Sequence, residues 1–286
     1  MPNTGVVQEF VDHHGPARLL TGGYSSGKTD ALVARWLRLA TEHGPGRVLF
    51  VARRASAAVE VRRRMVAAAH DAGLVAGPLA VTTWTGLALD LVRRHEPSLT
   101  DAALLTGPAQ RQLIGEVFAA DNAPWSASAE VVNRRAFPSE LARGTRALLS
   151  SPMTSEEIIS VADAVGLGDR WGELAAFVQR YRSVLRERNL VDVNEVVGLA
   201  IAAVAADDAR AALGQRFVEI LVDDAEAMSP SAVVLLNAIA TAGVPVTITS
   251  NPAGMRGSIV HEPVDHAAVF AAQHDAASFT LESPER

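Results

Sequence analysis

A glycine-rich loop, set between an apolar run and a helical pattern, restricts the possible folds of this chain most strongly. The apolar run ARLLT (17–21) leads into GGYSSGKT, and apolar residues recur at helical spacing from Lys28 onward. The loop fits the pattern G-x-x-x-x-G-K-[S/T] at every fixed position, and it lies where that pattern requires, after a strand and opening a helix. The sequence therefore predicts a strand, a phosphate-binding loop and a helix in direct succession.

The residue types in this loop suit a triphosphate. Successive backbone N–H groups form a concave anion site, glycines allow the tight turn, and the helix N-terminus adds partial positive charge. Lys28 can reach the β- and γ-phosphates as a candidate catalytic residue, and the Thr29 hydroxyl can bind Mg²⁺. The alternative is a chance Gly/Ser turn, which the strand–loop–helix context disfavours. The predicted nucleotide-binding residues are Gly22, Gly23, Tyr24, Ser25, Ser26, Gly27, Lys28 and Thr29.

A second acidic element is needed to hold the metal ion. The stretch ILVDDAEA (220–227) supplies it, because an apolar run there ends in Asp223 and Asp224. We expect Asp223 to hold Mg²⁺, directly or through water, and Asp224 to position the attacking water as the second candidate catalytic residue. The alternative is an N-cap run before the next helix, although Ser229 could cap that helix equally well. Asp223 comes long after Lys28 in the sequence, and this long spacing disfavours a small-molecule P-loop kinase.

Strand and helix patterns alternate near both ends of the chain but not in its middle. The predicted strands after the first are RVLFVA (47–52), LAVTTW (79–84), VEILVDD (218–224) and VPVTITS (244–250), with a short strand at SFTLE (278–282). Residues 101–199 are helical in pattern and show no convincing strand. We therefore expect one parallel α/β domain, formed by 1–100 and 200–286, with an all-helical insertion between its two parts.

Composition excludes several classes of function. The chain has no cysteine, so disulfides and thiolate zinc sites are excluded. Its net charge of −6 argues against a basic nucleic-acid binder overall, although a local basic groove is compatible with it. No signal-peptide pattern and no uninterrupted apolar run of about 18 residues is found. We expect a soluble cytoplasmic protein with no membrane partner.

Several stretches, in the same order, resemble the UvrD/Rep branch of superfamily 1 DNA helicases. More closely, they resemble the motor of the actinobacterial AdnAB-type helicase–nuclease. They are GGYSSGKT, VLFVARRASAAVEVRRRM (48–65), TTWTGLALDLVRRH (82–95), LVDVNEVV (190–197) and RFVEILVDDAEAMSPSAVVLLNAIA (216–240). Two stretches inside the insertion, LLTGPAQRQLI (104–114) and RRAFPSELARGTRALL (134–149), look like the AdnAB-type form. The likeness covers nearly the whole chain.

This resemblance implies a RecA-like P-loop NTPase parallel sheet with an inserted all-helical subdomain. It further implies binding of ATP, Mg²⁺ and single-stranded DNA, a role in DNA repair or recombination, and a second helicase or nuclease subunit as a partner. TLESPER (280–286) resembles the LExNYR stretch that opens the family's second motor domain, so Arg286 falls on the position of its arginine. The family's ATP site is completed by that second domain.

The chain departs from the family at catalytic positions. The family's DEFQD reads DDAEA (223–227), so Asp224 is one methylene shorter than the expected glutamate and Glu226 replaces a neutral glutamine. The family's VGDPDQSIY reads TSNPAGMRG (249–257), and Gly254 stands where the family has the glutamine that senses the γ-phosphate. Two hypotheses remain: an active motor half, or a degenerate subunit that binds ATP without hydrolysing it.

The candidate DNA contacts also have two interpretations each. The arginines of the helix after the second strand could follow a phosphate track, or they could form a solvated helix face. Trp84 could stack on a base or belong to the core. The arginines concerned are Arg53, Arg54, Arg62, Arg63 and Arg64.

Overall fold

The computed structural model describes residues 3–75, 77–121, 125–134, 136–151, 153–254 and 264–282. Its strands are β1 Ala17–Gly22, β2 Val48–Ala52, β3 Val81–Thr83, β4 Ala103–Leu105, β5 Leu190–Asp192, β6 Glu219–Val222, β7 Val246–Ser250 and β8 Ala277–Leu281. Its helices are α1 Thr4–Asp12, α2 Lys28–His43, α3 Ala55–Asp71, α4 Trp84–His95, α5 Gly107–Ala120, α6 Ala129–Val132, α7 Phe137–Ser150, α8 Ser155–Asp163, α9 Gly168–Glu187, α10 Val196–Val204, α11 Asp207–Arg216, α12 Pro230–Thr241 and α13 His266–Gln273.

The chain divides into two compact units. One consists of Met1–Leu87 together with Val204–Arg286, and the other is Ala88–Ala203, which interrupts the first along the sequence. Each unit has its own hydrophobic core. The predicted division after residues 100 and 199 stays a prediction, because contact density alone does not define separately folding domains.

The first unit is built on a six-stranded sheet in the order β3-β2-β6-β7-β1-β8. Every pairing in it is parallel. Strands β2, β6 and β7 are buried along their whole length, as expected for a parallel sheet covered on both faces. The predicted α/β class with a parallel central sheet is confirmed.

The sheet order determines which loops meet. Because all strands run in the same direction, their carboxyl ends lie at one edge of the sheet. At this edge β7 lies between β1, which ends at Gly22, and β6, which ends at Val222. The glycine-rich loop and the acidic stretch therefore emerge on either side of the residues that follow Ser250.

A buried ionic group ties the elements of this unit together. Arg35 on α2 donates from Nε and Nη2 to the two carboxylate oxygens of Glu219 on β6, at 2.6 and 2.7 Å. Its Nη1 donates to the carbonyl oxygens of Phe10 and Val11, at the end of α1, at 3.0 and 2.9 Å. Arg35 therefore anchors the C-terminal end of helix α1, an element that was not predicted from the sequence.

The two ends of the described chain meet at β8, which is an edge strand. The Asn3 side chain donates from Nδ2 to the Glu282 carbonyl oxygen at 2.9 Å, and the Glu282 N–H donates to Asn3 Oδ1 at 3.0 Å. The Asn3 side chain thus makes the same pair of hydrogen bonds to the Glu282 backbone that a neighbouring strand would make.

The second unit is largely helical, but the expectation that it is all-helical is wrong. Strands β4 and β5 pair in parallel as a separate two-stranded sheet. Each has three residues, too few for an alternating pattern to be recognised in the sequence. Beside them, the buried Asp192 carboxylate accepts hydrogen bonds from Gln110 Nε2 and the Tyr181 hydroxyl.

Over the part of the chain that the structure describes, every helix is too short or too polar to cross a membrane.

Candidate nucleotide site

The glycine-rich loop adopts a tight conformation that two of its glycines make possible. Gly27 has φ +92, which is in the left-handed region, and α2 begins at the next residue. A Cβ atom on Gly22 would lie 2.4 Å from Ser26 Oγ, so a larger residue there would displace the loop. Ser25 also has a left-handed backbone, with φ +61, although it is not a glycine. The loop is therefore sterically specified, with backbone strain at Ser25.

Lys28 lies at the centre of this loop. Its Nζ donates to the carbonyl oxygens of Gly22 and Gly23, both at 2.8 Å, and the residue is buried. Lys28 is the only lysine among the 26 basic residues of the chain, the others being arginines. A compact ammonium with three donors is the cation that a phosphate-binding loop of this pattern uses. The sequence alone carries this signal, because Lys28 stands alone among arginines.

The loop is joined directly to the acidic strand. Thr29 Oγ1 donates to Asp223 Oδ2 at 2.7 Å, and Thr249 Oγ1 donates to Asp223 Oδ1 at 2.6 Å. The structure therefore brings together Thr29 and Asp223, the two residues predicted to hold Mg²⁺. A hydroxyl and a carboxylate are the hard oxygen ligands that Mg²⁺ prefers.

An unsatisfied polar atom in the loop also fits a phosphate ligand. Ser26 is buried, and its Oγ has no hydrogen-bond partner among the described residues. Buried hydroxyls are normally paired, so an unpaired one needs an explanation. A phosphate oxygen, which accepts hydrogen bonds, would supply the missing partner. The other loop residue of interest, Tyr24, is exposed.

Asp224 lies next to this pair in an unfavourable environment. Its backbone is left-handed, with φ +56, and its N–H donates to Asp223 Oδ1 at 3.2 Å. Partial burial, followed by the negative charges of Asp223 and Glu226, raises the pKa of Asp224, while Arg53 and Lys28 oppose that rise. The two predicted catalytic residues, Lys28 and Asp224, are thus near enough to interact electrostatically.

A hydrogen bond joins Glu226 to Asn251, the residue that follows β7. The Asn251 N–H donates to Glu226 Oε2 at 3.0 Å, so this carboxylate has a backbone partner. Sequence reasoning assigned no role to Thr249 or Asn251, although both follow the signal used for Asp223, a polar residue at the carboxyl end of a buried strand. Gly254 ends a short 3-10 turn, Pro252–Gly254. The rest of the altered motif, residues 255–257, lies outside the described residues, as does Arg286.

The candidate DNA-contacting arginines differ in their surroundings. Arg63 and Arg64 both donate hydrogen bonds to Glu60. These hydrogen bonds, of which the one from Arg63 has the larger effect, lower the pKa of Glu60 to about 2. Arg62 donates to the Val81 carbonyl oxygen at 3.1 Å. Arg53 and Arg54 are exposed, and Trp84 is half-buried. The phosphate track stays a prediction, with Arg53 and Arg54 as its least engaged members.

Two cavities of about 280 and 330 Å³ lie in the second unit rather than at the loop. Arg182 and Glu195 line both of them and form an ion pair with each other. Burial raises the pKa of Glu195, and Arg182 opposes that rise. Because this pair neutralises itself, the cavities offer less for an anionic ligand than the loop does.

Comparison with known proteins agrees with this geometry. The model of the UvrD/REP helicase N-terminal domain matches residues 7–249, which include the loop, the acidic strand and most of β7. No curated protein matches the chain. The narrower likeness to AdnAB-type motors stays a prediction.

Proposed function

Because the chain belongs to the UvrD/REP helicase family, we propose that it is the ATP-binding N-terminal motor portion of a DNA helicase or translocase. We place its role in DNA repair or recombination and expect single-stranded DNA as its polymer ligand. A second helicase or nuclease subunit, of the AdnAB kind, would be its protein partner.

The observation that carries the proposal is the hydrogen bond between Thr29 and Asp223. These residues are 194 positions apart, yet their side-chain oxygens are 2.7 Å apart at the carboxyl edge of the sheet. A chance glycine-serine turn would not require a buried acidic strand beside it. Loop and carboxylate together form the two halves of a Mg²⁺–triphosphate site.

Each residue has a definite task in this site. The backbone N–H groups of the loop would bind phosphate oxygens, and Lys28 would exchange its bonds to the Gly22 and Gly23 carbonyl oxygens for bonds to phosphate. Thr29 and Asp223 would hold Mg²⁺, which supplies positive charge to the phosphate oxygens. Asp224 would orient water.

We further propose that the chain alone turns over slowly. Asp224 has one methylene fewer than the glutamate expected from the resemblance, and misplacement of about 1 Å can reduce a rate by about 10²-fold. Glu226 also places a negative charge near Asp224 where the resemblance expects a neutral glutamine. These features support weak hydrolysis and fully retained binding.

The alternative is a regulatory or structural subunit that binds nucleotide without ATPase activity. The carboxylates of Asp223, Asp224 and Glu226 favour it, because negative charge gathered near the phosphates opposes the negative charge that develops in the transition state. Steady-state ATPase assays with single-stranded DNA distinguish the two functions. Measurable DNA-stimulated turnover that Lys28→Ala abolishes supports the motor, and turnover at the blank level supports the alternative.

The central prediction concerns Lys28. We expect Lys28→Ala to weaken ATP–Mg²⁺ binding by at least about tenfold, since a charge-assisted hydrogen bond contributes roughly 1.5–3 kcal/mol. Isothermal titration calorimetry measures the change, with Arg47→Ala as the control, because Arg47 donates to the Gln215 carbonyl oxygen outside the loop. Equal affinity in Lys28→Ala and the wild type would overturn the assignment of the loop.

The single lysine permits a chemical form of the same test. An amine-reactive acetylating reagent has only two kinds of target in this chain, Lys28 Nζ and the terminal amine. We expect ATP–Mg²⁺ to protect Lys28 from acetylation, as quantified by mass spectrometry, with the terminal amine as the internal control.

A further inference from the structure

Two threonines of β7 donate hydrogen bonds to carboxylates at the two ends of β6. Thr247 Oγ1 donates to Oε1 of Glu219, the first residue of β6, at 2.6 Å. Thr249 Oγ1 donates to Oδ1 of Asp223, the residue after β6, also at 2.6 Å. Both threonines are fully buried, and because they lie two residues apart on one strand, they share a face of the sheet. The two contacts are therefore alike in distance and burial.

The two carboxylates differ in the charge that faces them. Glu219 forms ion pairs with Arg35 and Arg18, at 2.6 and 3.3 Å. Within the described residues Asp223 has no ion-pair partner, and its donors are two neutral hydroxyls and a backbone N–H. A buried carboxylate without a positive partner is costly. The partner that Asp223 lacks is therefore a cation from outside the chain, whereas Glu219 already has its own.

Thr249 determines which oxygen of Asp223 can meet that cation. Oδ1 accepts from the Thr249 hydroxyl and from the Asp224 N–H, at 2.6 and 3.2 Å, and this N–H also lies 3.3 Å from Thr249 Oγ1. Oδ2 accepts from the Thr29 hydroxyl, the group assigned to the cation, at 2.7 Å. Oδ2 is thus on the cation side of the carboxylate, and Oδ1 is turned towards β7.

The threonine side chain is suited to keeping this orientation. Its branched Cβ atom restricts the χ1 angle, and its complete burial keeps water from replacing its hydroxyl. In the family stretch VGDPDQSIY, which reads TSNPAGMRG here, a valine stands at this position. Valine has nearly the same shape but no hydroxyl. The contact with Asp223 is therefore a feature of this chain, not of the family pattern.

Divalent cations differ in how they use a carboxylate. Ca²⁺ accepts one or both oxygens of a carboxylate in a flexible shell, whereas Mg²⁺ requires a near-octahedral shell of closer ligands. Binding through both oxygens requires the carboxylate to turn both of them towards one ion. A carboxylate with one oxygen held against a neighbouring strand meets an ion through the other oxygen alone, which suits Mg²⁺ better than Ca²⁺.

We propose that Thr249 is a positioning residue that holds Asp223 Oδ1 against β7, so that only Oδ2 faces the cation and the nucleotide site selects Mg²⁺ over Ca²⁺. The inference rests on the proposed nucleotide-binding function. Thr249 touches neither the cation nor the nucleotide in this assignment, and it acts through Asp223.

The test measures binding of a non-hydrolysable triphosphate, adenylyl imidodiphosphate, by isothermal titration calorimetry with saturating Mg²⁺ or saturating Ca²⁺. We expect wild type to bind more tightly with Mg²⁺. Thr249→Val keeps the shape of the side chain and frees Oδ1, so the ratio of the Mg²⁺ to the Ca²⁺ affinity should fall by about fivefold. Thr249→Ser restores the hydroxyl and should keep the ratio within about twofold of wild type.

Thr247→Val is the matched control. It removes a hydroxyl of the same kind from the same strand, but its partner Glu219 keeps Arg35 and lies at the other end of β6. It should lower the thermal stability and leave the ratio unchanged. If Thr249→Val does not fold, Thr249→Ala carries the test, because it removes the same hydroxyl without placing a methyl group against the carboxylate.

The outcomes separate this inference from the proposed function. If wild type binds the triphosphate, Lys28→Ala loses it and Thr249→Val keeps the wild-type ratio, the inference is overturned and the function stands. Equal changes of the ratio in Thr247→Val and Thr249→Val, or equal wild-type affinity with the two cations, would also overturn it. If wild type binds the triphosphate with neither cation, both fail.

Discussion

Single residues at the carboxyl edge of the sheet are held in environments that lower the stability of the fold. Asp224 combines a left-handed backbone with a pKa that burial and two neighbouring carboxylates raise. A raised pKa means that the folded state binds the proton more tightly than the unfolded chain does. Ionised Asp224 therefore destabilises the fold, and stability is lost as the pH rises through the pKa of the folded state.

Asp224→Asn should consequently stabilise the chain in the absence of nucleotide. At neutral pH we expect a gain of up to about 1 kcal/mol, limited because the carboxyl is only partly buried. The gain should shrink as the pH falls and Asp224 becomes protonated. Chemical denaturation at several pH values measures it. Asn tolerates the left-handed backbone, so the substitution adds no strain.

The matched control is Asp275→Asn, at an exposed aspartate with a similar left-handed backbone, φ +48. We expect it to change stability by less than about 0.5 kcal/mol at any of these pH values. If Asp224→Asn lowers stability at neutral pH, the carboxylate is net stabilising and the interpretation of its environment is wrong.

The site could be predicted from the sequence only where one segment carries the whole signal. The loop from Gly22 to Thr29 has a fixed pattern, and Asp223 follows a recognisable apolar run. Thr249 and Asn251 look like ordinary residues at the end of a strand. Their proximity to the loop follows from β7 lying between β1 and β6, which no local pattern encodes.

At the scale of elements, one buried ion pair joins helices α1 and α2 to strand β6. Arg35 and Glu219 are 1% and 2% exposed. Removing Arg35 takes away the two-bond partner of Glu219 and leaves only the buried Arg18, whose Nη1 lies 3.3 Å from Glu219 Oε1, as a counter-charge. The Phe10 carbonyl oxygen, at the end of α1, would lose the Arg35 donor at the same time, while the Val11 carbonyl oxygen would keep Arg38.

We therefore expect Arg35→Met to lower the free energy of unfolding by about 2–3 kcal/mol, less than the ~3–5 kcal/mol of a fully uncompensated buried charge, because Arg18 stays beside Glu219. Urea denaturation followed by circular dichroism measures the loss. Arg38→Met is the control: Arg38 lies on the same helix and donates to the Val11 carbonyl oxygen, but it is partly exposed, and its loss should be about 1 kcal/mol or less. Equal losses in the two variants would contradict the role given to the buried pair.

The elements predicted correctly are those that are long and clearly patterned. The continuous apolar run of β2 and the apolar residues of β6 are signals that burial in a parallel sheet imposes on the sequence, and α2 shows the helical period. Strands β4 and β5 escaped prediction because each is short and its partner is far away in the sequence. Pairing of that kind is decided by tertiary packing, which outweighs local preference.

At the scale of the molecule, the second unit has a hydrophobic core of its own. Its core contains Ile114, Phe177 and Tyr181, each fully buried within that unit. We expect residues 88–203, expressed alone, to give a helical circular dichroism spectrum and one cooperative thermal transition. A spectrum without that transition would show that this core depends on the rest of the chain.

Asp192→Ala in the same fragment tests its polar core. The Gln110 amide and the Tyr181 hydroxyl would lose their buried acceptor, so we expect a loss of about 1–3 kcal/mol for each donor left unpaired.

The contact between Asn3 and Glu282 also bears on whether the chain could be circularly permuted. Since these residues already touch, a short flexible linker would close the described chain into a ring without distorting β8. New ends opened at Gly166, in the turn between α8 and α9, would then produce a circular permutant in which the acidic strand precedes the glycine-rich loop. If that permutant folds with the same strand order, the architecture does not require the glycine-rich loop to precede the acidic strand along the chain.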